Sequence, residues 1–173
     1  MQTRTWVLGA AGTLAAITLS WWWKVEDART PKHLPLAVLG QKIEAGRVQL
    51  TPLAVHYDEG KLVLEADVEN PTGETQTGPF GTPARLPELV DGNHSLPAAE
   101  VFLIRDAEPL AALQPRLRER VRFVWTLDAA PQGGAVIRFS KQSFKLQDNF
   151  YGQASWLGFS AVAELPVPPE VGR

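Results

Sequence analysis

The chain of 173 residues contains no cysteine. That excludes a disulfide frame, a thiolate metal site, a nucleophilic thiol and a lipid-attachment cysteine. Histidine is scarce, with His33, His56 and His94 the full set of 3. No HExxH motif occurs, no serine sits in a Gly-x-Ser-x-Gly elbow, and Gly133-Gly134 is not part of a phosphate-binding loop. A large charge of either sign is missing too. Lys and Arg number 17 against 19 Asp and Glu, a formal net charge of −2, and such a balance argues against nucleic acid as a partner. These absences favour a protein that is not an enzyme and has no cofactor.

What is present begins at the N-terminus. Trp6 to Trp23 is an unbroken uncharged run between Arg4 and Lys24. As a helix it would extend about 27 Å, enough for a thin bilayer core. Trp21, Trp22 and Trp23 suit the headgroup level, and they stand where a signal peptidase needs small residues. The run is therefore expected to be an uncleaved transmembrane signal-anchor over 6–23, after a cytoplasmic head of residues 1–5. Arg4 on one side and Lys24, Arg29 and Lys32 on the other do not set the orientation by charge. A short head favours a C-terminal domain in the periplasm or extracellular space, on a bacterial cytoplasmic membrane. Gly9, Thr13, Ala16 and Ser20 form a stripe of small residues that would allow helix-mediated self-association.

Residues 24–42 mix charge with Pro31 and Pro35 and read as a tether. From residue 43 to 167 the pattern is that of strands, and residues 168–173 form a tail. Leu62, Leu64, Ala66 and Val68 alternate with more polar neighbours across Lys61–Glu69. Asp58-Glu59-Gly60 separates that run from Arg47–Tyr57, whose phase slips at Pro52, which predicts an edge strand with a bulge or a break there. Val101–Arg105, Arg120–Leu127, Ala135–Phe139, Ser143–Leu146 and the alternation from Leu157 to Leu165 supply further strands. Residues 71–97 are rich in Gly, Pro and Thr and are expected to be irregular. Leu110, Leu113 and Leu117 suggest about one helical turn, limited by Pro109 and Pro115. The expected fold is all-β, an antiparallel β-sandwich of about seven strands preceded by one transmembrane helix.

Several segments resemble the immunoglobulin-like sandwich of unknown function found in bacterial lipoproteins and single-span membrane proteins. They are Leu62-Val63-Leu64-Glu65-Ala66-Asp67-Val68-Glu69-Asn70, Leu89-Val90-Asp91-Gly92, Phe102-Leu103-Ile104-Arg105-Asp106, Leu113-Gln114-Pro115 and Val121-Arg122-Phe123-Val124-Trp125. The resemblance covers roughly residues 44–165. It implies an immunoglobulin-like fold and an extracytoplasmic location, and it carries over no catalytic residue. This chain departs from the lipoprotein members in having no cysteine to lipidate.

Two sets of residues stand out as sites. Arg118, Arg120 and Arg122 share one strand face, and Glu65, Asp67 and Glu69 share another. If the strands pair, the rows form a cross-strand charge ladder. If they do not, the arginines are free for an acidic partner or lipid headgroups. Trp156 is out of phase with Leu157 and Phe159, and with Phe150 and Tyr151 it would make an aromatic protein-binding patch. The leading expectation is an anchored binding or structural module that meets an unidentified envelope protein. Two other readings stand beside it. One is a metal-assisted envelope hydrolase using His56 and His94, with Asp58 and Asp91 as oxygen ligands. The other is a carrier for a small apolar ligand held between the sheets.

Overall fold

A computed structural model describes residues 16–25, 33–77, 80–81, 84–92, 94–128, 131, 134–146 and 152–169. The chain divides into two units, Met1–His33 and Leu34–Arg173.

In the first unit a helix runs over 16–25, and every one of its residues is exposed. Trp21, Trp22 and Trp23 expose 71%, 69% and 78% of their surface. Among the described residues no helix is long and apolar enough to cross a membrane. Residues 1–15, with the head, much of the expected span and both Gly9 and Thr13, lie outside the described set.

The second unit is built from strands. The first four are β1 (Ile43–Ala45), β2 (Val48–Asp58), β3 (Lys61–Glu69) and β4 (Gln76–Thr77). Then come β5 (Glu88–Asp91), β6 (His94–Ser95), β7 (Glu100–Leu103) and β8 (Ala112–Leu113). The last three are β9 (Arg118–Thr126), β10 (Val136–Lys145) and β11 (Ser155–Pro166). They form a five-stranded sheet in the order β1-β2-β3-β9-β7 and a four-stranded sheet in the order β11-β10-β5-β6. A small pair, β4-β8, stands beside them. Every pairing between these strands is antiparallel, while the isolated bridges Leu36–Glu164 and Gly46–Lys141 are parallel. The architecture is a β-sandwich.

Local chemistry explains the main hairpin. Glu59 and Gly60 have φ of 47° and 79°, the positive pair that a two-residue type I′ turn requires. Opposite β3, Pro52 faces Ala66 and Ala54 faces Glu65, so Leu53 is the extra residue of a bulge. The edge-strand expectation for β2 needs correction, because β1 covers Val48–Leu50. Pro52 lies just past that cover.

The core lies between the two large sheets. Leu50, Leu62, Leu64, Ala66, Val68, Val121 and Phe123 of the first sheet are fully buried, as are Leu89, Ile137 and Phe139 of the second. Each such leucine contributes about 1.5–3 kcal/mol by leaving water. The rings of Phe80, Phe123 and Trp125 pack in sequence, with centroids 5.6 Å and 6.3 Å apart.

Four sequence expectations change. Ala107–Arg118 makes no helical turn. Ala107 and Arg116 sit at positive φ, Leu110 and Leu113 are buried, and Leu117 is 50% exposed. The stretch 71–97 holds β4, β5 and β6 rather than irregular chain alone. The tether is shorter than 24–42, since Ala37 N–H donates to Glu164 O (2.8 Å) and Glu164 N–H donates to Pro35 O (3.0 Å). Finally, Ala135–Phe139 and Ser143–Leu146 merge into the single strand β10, which pairs with β11 through two register shifts. These shifts leave Val162 unmatched and flip the phase of β11. Ala163 and Leu165 are buried, while Ala161 is exposed and Leu157 is 43% exposed.

Candidate functional site

The charged rows of the five-stranded sheet face each other in register. Glu65 lies opposite Arg122, Asp67 opposite Arg120 and Glu69 opposite Arg118. Arg120 grips Asp67 with two hydrogen bonds, from Nε at 2.8 Å and from Nη2 at 3.2 Å. The Arg120 hydrogen bond holds the Asp67 carboxyl below the usual aspartate range, against a smaller opposing effect of burial. Arg118 reaches Glu69 at 3.3 Å, and Lys42 reaches the same oxygen at 3.4 Å. Hydrogen bonds from Arg118 and then Lys42 lower the Glu69 carboxyl as well. Arg122 differs. It forms no ion pair with Glu65 among the described residues, and its buried Nε has no hydrogen-bond partner. Two of the three arginines are thus committed to carboxylates inside the sheet.

The predicted aromatic patch is only partly described. Phe150 and Tyr151 lie outside the described residues. Trp156 is half-buried at the start of β11, opposite Phe144 of β10. The two rings tilt against each other with centroids 5.0 Å apart, and Phe144 is 50% exposed. Together they form one wall of a half-open cleft of about 340 Å³. Glu44, Arg47, Gln49, Thr72 and Lys141 supply polar walls.

Arg47 reaches this cleft because of its turn. Ala45 pairs with Val48, so Gly46 and Arg47 are the two turn residues of the β1-β2 hairpin. Gly46 has φ of 61°. Glycine at the first turn position with positive φ is the signature of a type II′ turn. The same residue ties the two sheets together: Gly46 N–H donates to Ser140 O at 2.7 Å, and Gln142 N–H donates to Gly46 O at 2.8 Å. From that corner the Arg47 guanidinium carbon lies 4.5 Å from the centroid of a Trp156 ring. Its Nε donates to Gln142 Oε1 at 2.8 Å. Gln142 is 7% exposed, and its Nε2 donates to Leu157 O at 2.9 Å. That second bond turns the amide oxygen toward Arg47. Beside it, Lys141 Nζ pairs with Glu44 at 2.9 Å. Sequence reasoning passed over Gly46, Arg47, Gln142 and Phe144. The Gly-x pair between two short apolar runs was the signal that marked the turn.

The histidines do not converge. His56 is exposed on β2 of the five-stranded sheet, and His94 is exposed on β6 at the edge of the other. Asp91 pairs in register with His94, and Asp58 with Lys61. No group of three or more His, Asp or Glu able to hold a metal occurs among the described residues.

No protein-family model matches the chain, and no curated protein matches it. Among solved structures it is similar to an uncharacterized beta-sandwich protein from Clostridium difficile 630, with a TM-score of 0.45 and 12% identity. The alignment covers 81% of this chain and 98% of that one.

Proposed function

We propose that the chain is a membrane-anchored, extracytoplasmic immunoglobulin-like module that binds another protein of a bacterial envelope through the Trp156 end of its sandwich. The fold assignment draws on strand order. Lettered along the chain as A to G, β2, β3, β9 and β7 take the places of A, B, E and D. The strands β11, β10 and β5 take those of G, F and C, with β6 added beside C. The anchor draws support from the uncharged run Trp6–Trp23 and from the helix over 16–25, which carries three exposed tryptophans. Side chains of this kind are unfavourable in water and are stabilised at a headgroup boundary.

The binding role is carried by the cleft. An aromatic pair with one ring half exposed, beside an arginine stacked on the other, has the composition of an interface centre. It stands on a hairpin corner tied to β10 by two backbone hydrogen bonds rather than on a long loop, so less order need be gained on binding. A photo-crosslinking residue at Leu157, exposed beside Trp156, tests this in intact cells. The expected result is one discrete adduct with an envelope protein, lost when Trp156→Ala is added. An adduct pattern that Trp156→Ala leaves unchanged contradicts the assignment.

A further inference from the structure

We infer that the Arg47–Trp156 cleft receives a carboxylate carried on an extended peptide, an Asp or Glu side chain with apolar neighbours. The inference rests on the reading that this end of the sandwich binds a partner protein, and it states what that partner presents.

Arg47 is held from three directions. Gly46 fixes the adjoining backbone by its two hydrogen bonds to β10. Gln142 accepts from Nε, and Trp156 covers one face of the guanidinium. A guanidinium has five N–H donors in a planar fork. One is used here, and no carboxylate among the described residues pairs with the others. The nearby acids are engaged elsewhere: Glu44 takes Lys141, and Glu69 takes Arg118 and Lys42. A fixed fork with one face shielded from water matches a carboxylate in bidentate fashion. Part of the side-chain ordering that is normally a cost of binding is already met by these contacts.

The surroundings select among anions. Trp156 and Phe144 offer an apolar wall next to the fork, which suits an acidic side chain flanked by apolar residues rather than a free ion. The cleft's 340 Å³ is at the low end of the roughly 300–1,000 Å³ typical of ligand sites. Small ligands, however, are usually buried over most of their surface. A half-open trough suits a chain that enters and leaves. Charge agrees: Arg47 and Lys141 outweigh Glu44 along the cleft, in a protein whose formal net charge is −2. An acidic segment is attracted locally where the whole molecule would repel it.

The test uses the full chain in detergent micelles and two capped pentapeptides, acetyl-Val-Leu-Glu-Leu-Val-amide and its twin with Gln in place of Glu. Calorimetric titration is expected to show the Glu peptide binding about tenfold or more tighter than the twin. Arg47→Gln is expected to bring the two to equal, weak affinity, and Arg47→Lys to restore little, because an ammonium lacks the fork. In the unaltered protein the Arg47 Nε–H resonance is expected to move with the Glu peptide and not with the twin, a readout independent of any variant's folding. Equal binding of both peptides, no binding of either, or discrimination that survives Arg47→Gln overturns the inference. If any of these occurs while the Leu157 adduct still depends on Trp156, only the carboxylate assignment falls. An adduct pattern that Trp156→Ala leaves unchanged, or no adduct at all in the unaltered protein, overturns the partner-binding reading with it.

Discussion

Gly46 has no room for a side chain. A Cβ there would lie 1.8 Å from the carbonyl oxygen of Phe80, a backbone atom that cannot swing aside, and φ of 61° adds strain for any L-residue. Gly46→Ala is expected to destabilise the folded domain by about 3 kcal/mol or more, read as a lowered urea midpoint. An unchanged midpoint would mean that the sheets are not stitched at this corner. Asn70 is a second fixed point. It is fully buried, and its Nδ2 donates to the carbonyls of Glu74 and Leu113. Its Oδ1 accepts from the backbone N–H and hydroxyl of Thr72. The sequence places Asn70 directly after the alternating run Lys61–Glu69. It did not show that the side chain also gathers the segment around Leu113, because that contact is non-local. The same limit applied to Arg47, whose role needs Trp156 from the other sheet.

Whole elements were legible where one face is apolar without interruption. β3 and β9 alternate cleanly, and their pairing brings the acidic and basic rows together. β10 and β11 were harder. Two register shifts break the period of two, so one long strand read as two short ones and a half-exposed strand read as buried. β5 was hidden inside a Gly- and Pro-rich stretch because four residues are too few to set a period.

The paired rows carry a pH prediction. The folded-state value of Asp67 lies below its ordinary one, chiefly through the Arg120 hydrogen bond, so the ionised carboxylate favours the fold. That contribution is complete above the ordinary aspartate value of about 4. It is lost as pH falls through the lowered folded value. Thermal unfolding followed from pH 6 downward (working range set by ordinary carboxylate titration, about 2–6) is expected to fall less steeply for Asp67→Asn than for the parent. The difference is expected to be small, because the pair sits at the surface and salt screens it. Parallel acid limbs for the two proteins would remove Asp67 from the account.

At the scale of the whole molecule, the absence of cysteine and the succession of alternating runs were enough to indicate a cysteine-free sandwich of many short strands. It did not show where the folded unit begins. Leu34 rather than Ile43 opens that unit, because Pro35 and Ala37 lie along β11 and bond with Glu164, more than a hundred residues away. The N-terminal run is a separate matter. Its apolar character is evident from sequence, and the described part is a helix with exposed tryptophans. The placement of the sandwich outside the cytoplasm is the claim on which the envelope reading depends.

The absence of cysteine makes that claim directly measurable. Lys61 is exposed at the start of β3, and Lys61→Cys gives the chain a single thiol. A membrane-impermeant maleimide added to intact cells with a permeabilised outer membrane is expected to label that thiol fully. The labelled protein is expected to stay with the membrane fraction after alkaline washing. Labelling only after the cytoplasmic membrane is broken, or recovery of the intact chain in the aqueous fraction, would contradict the account.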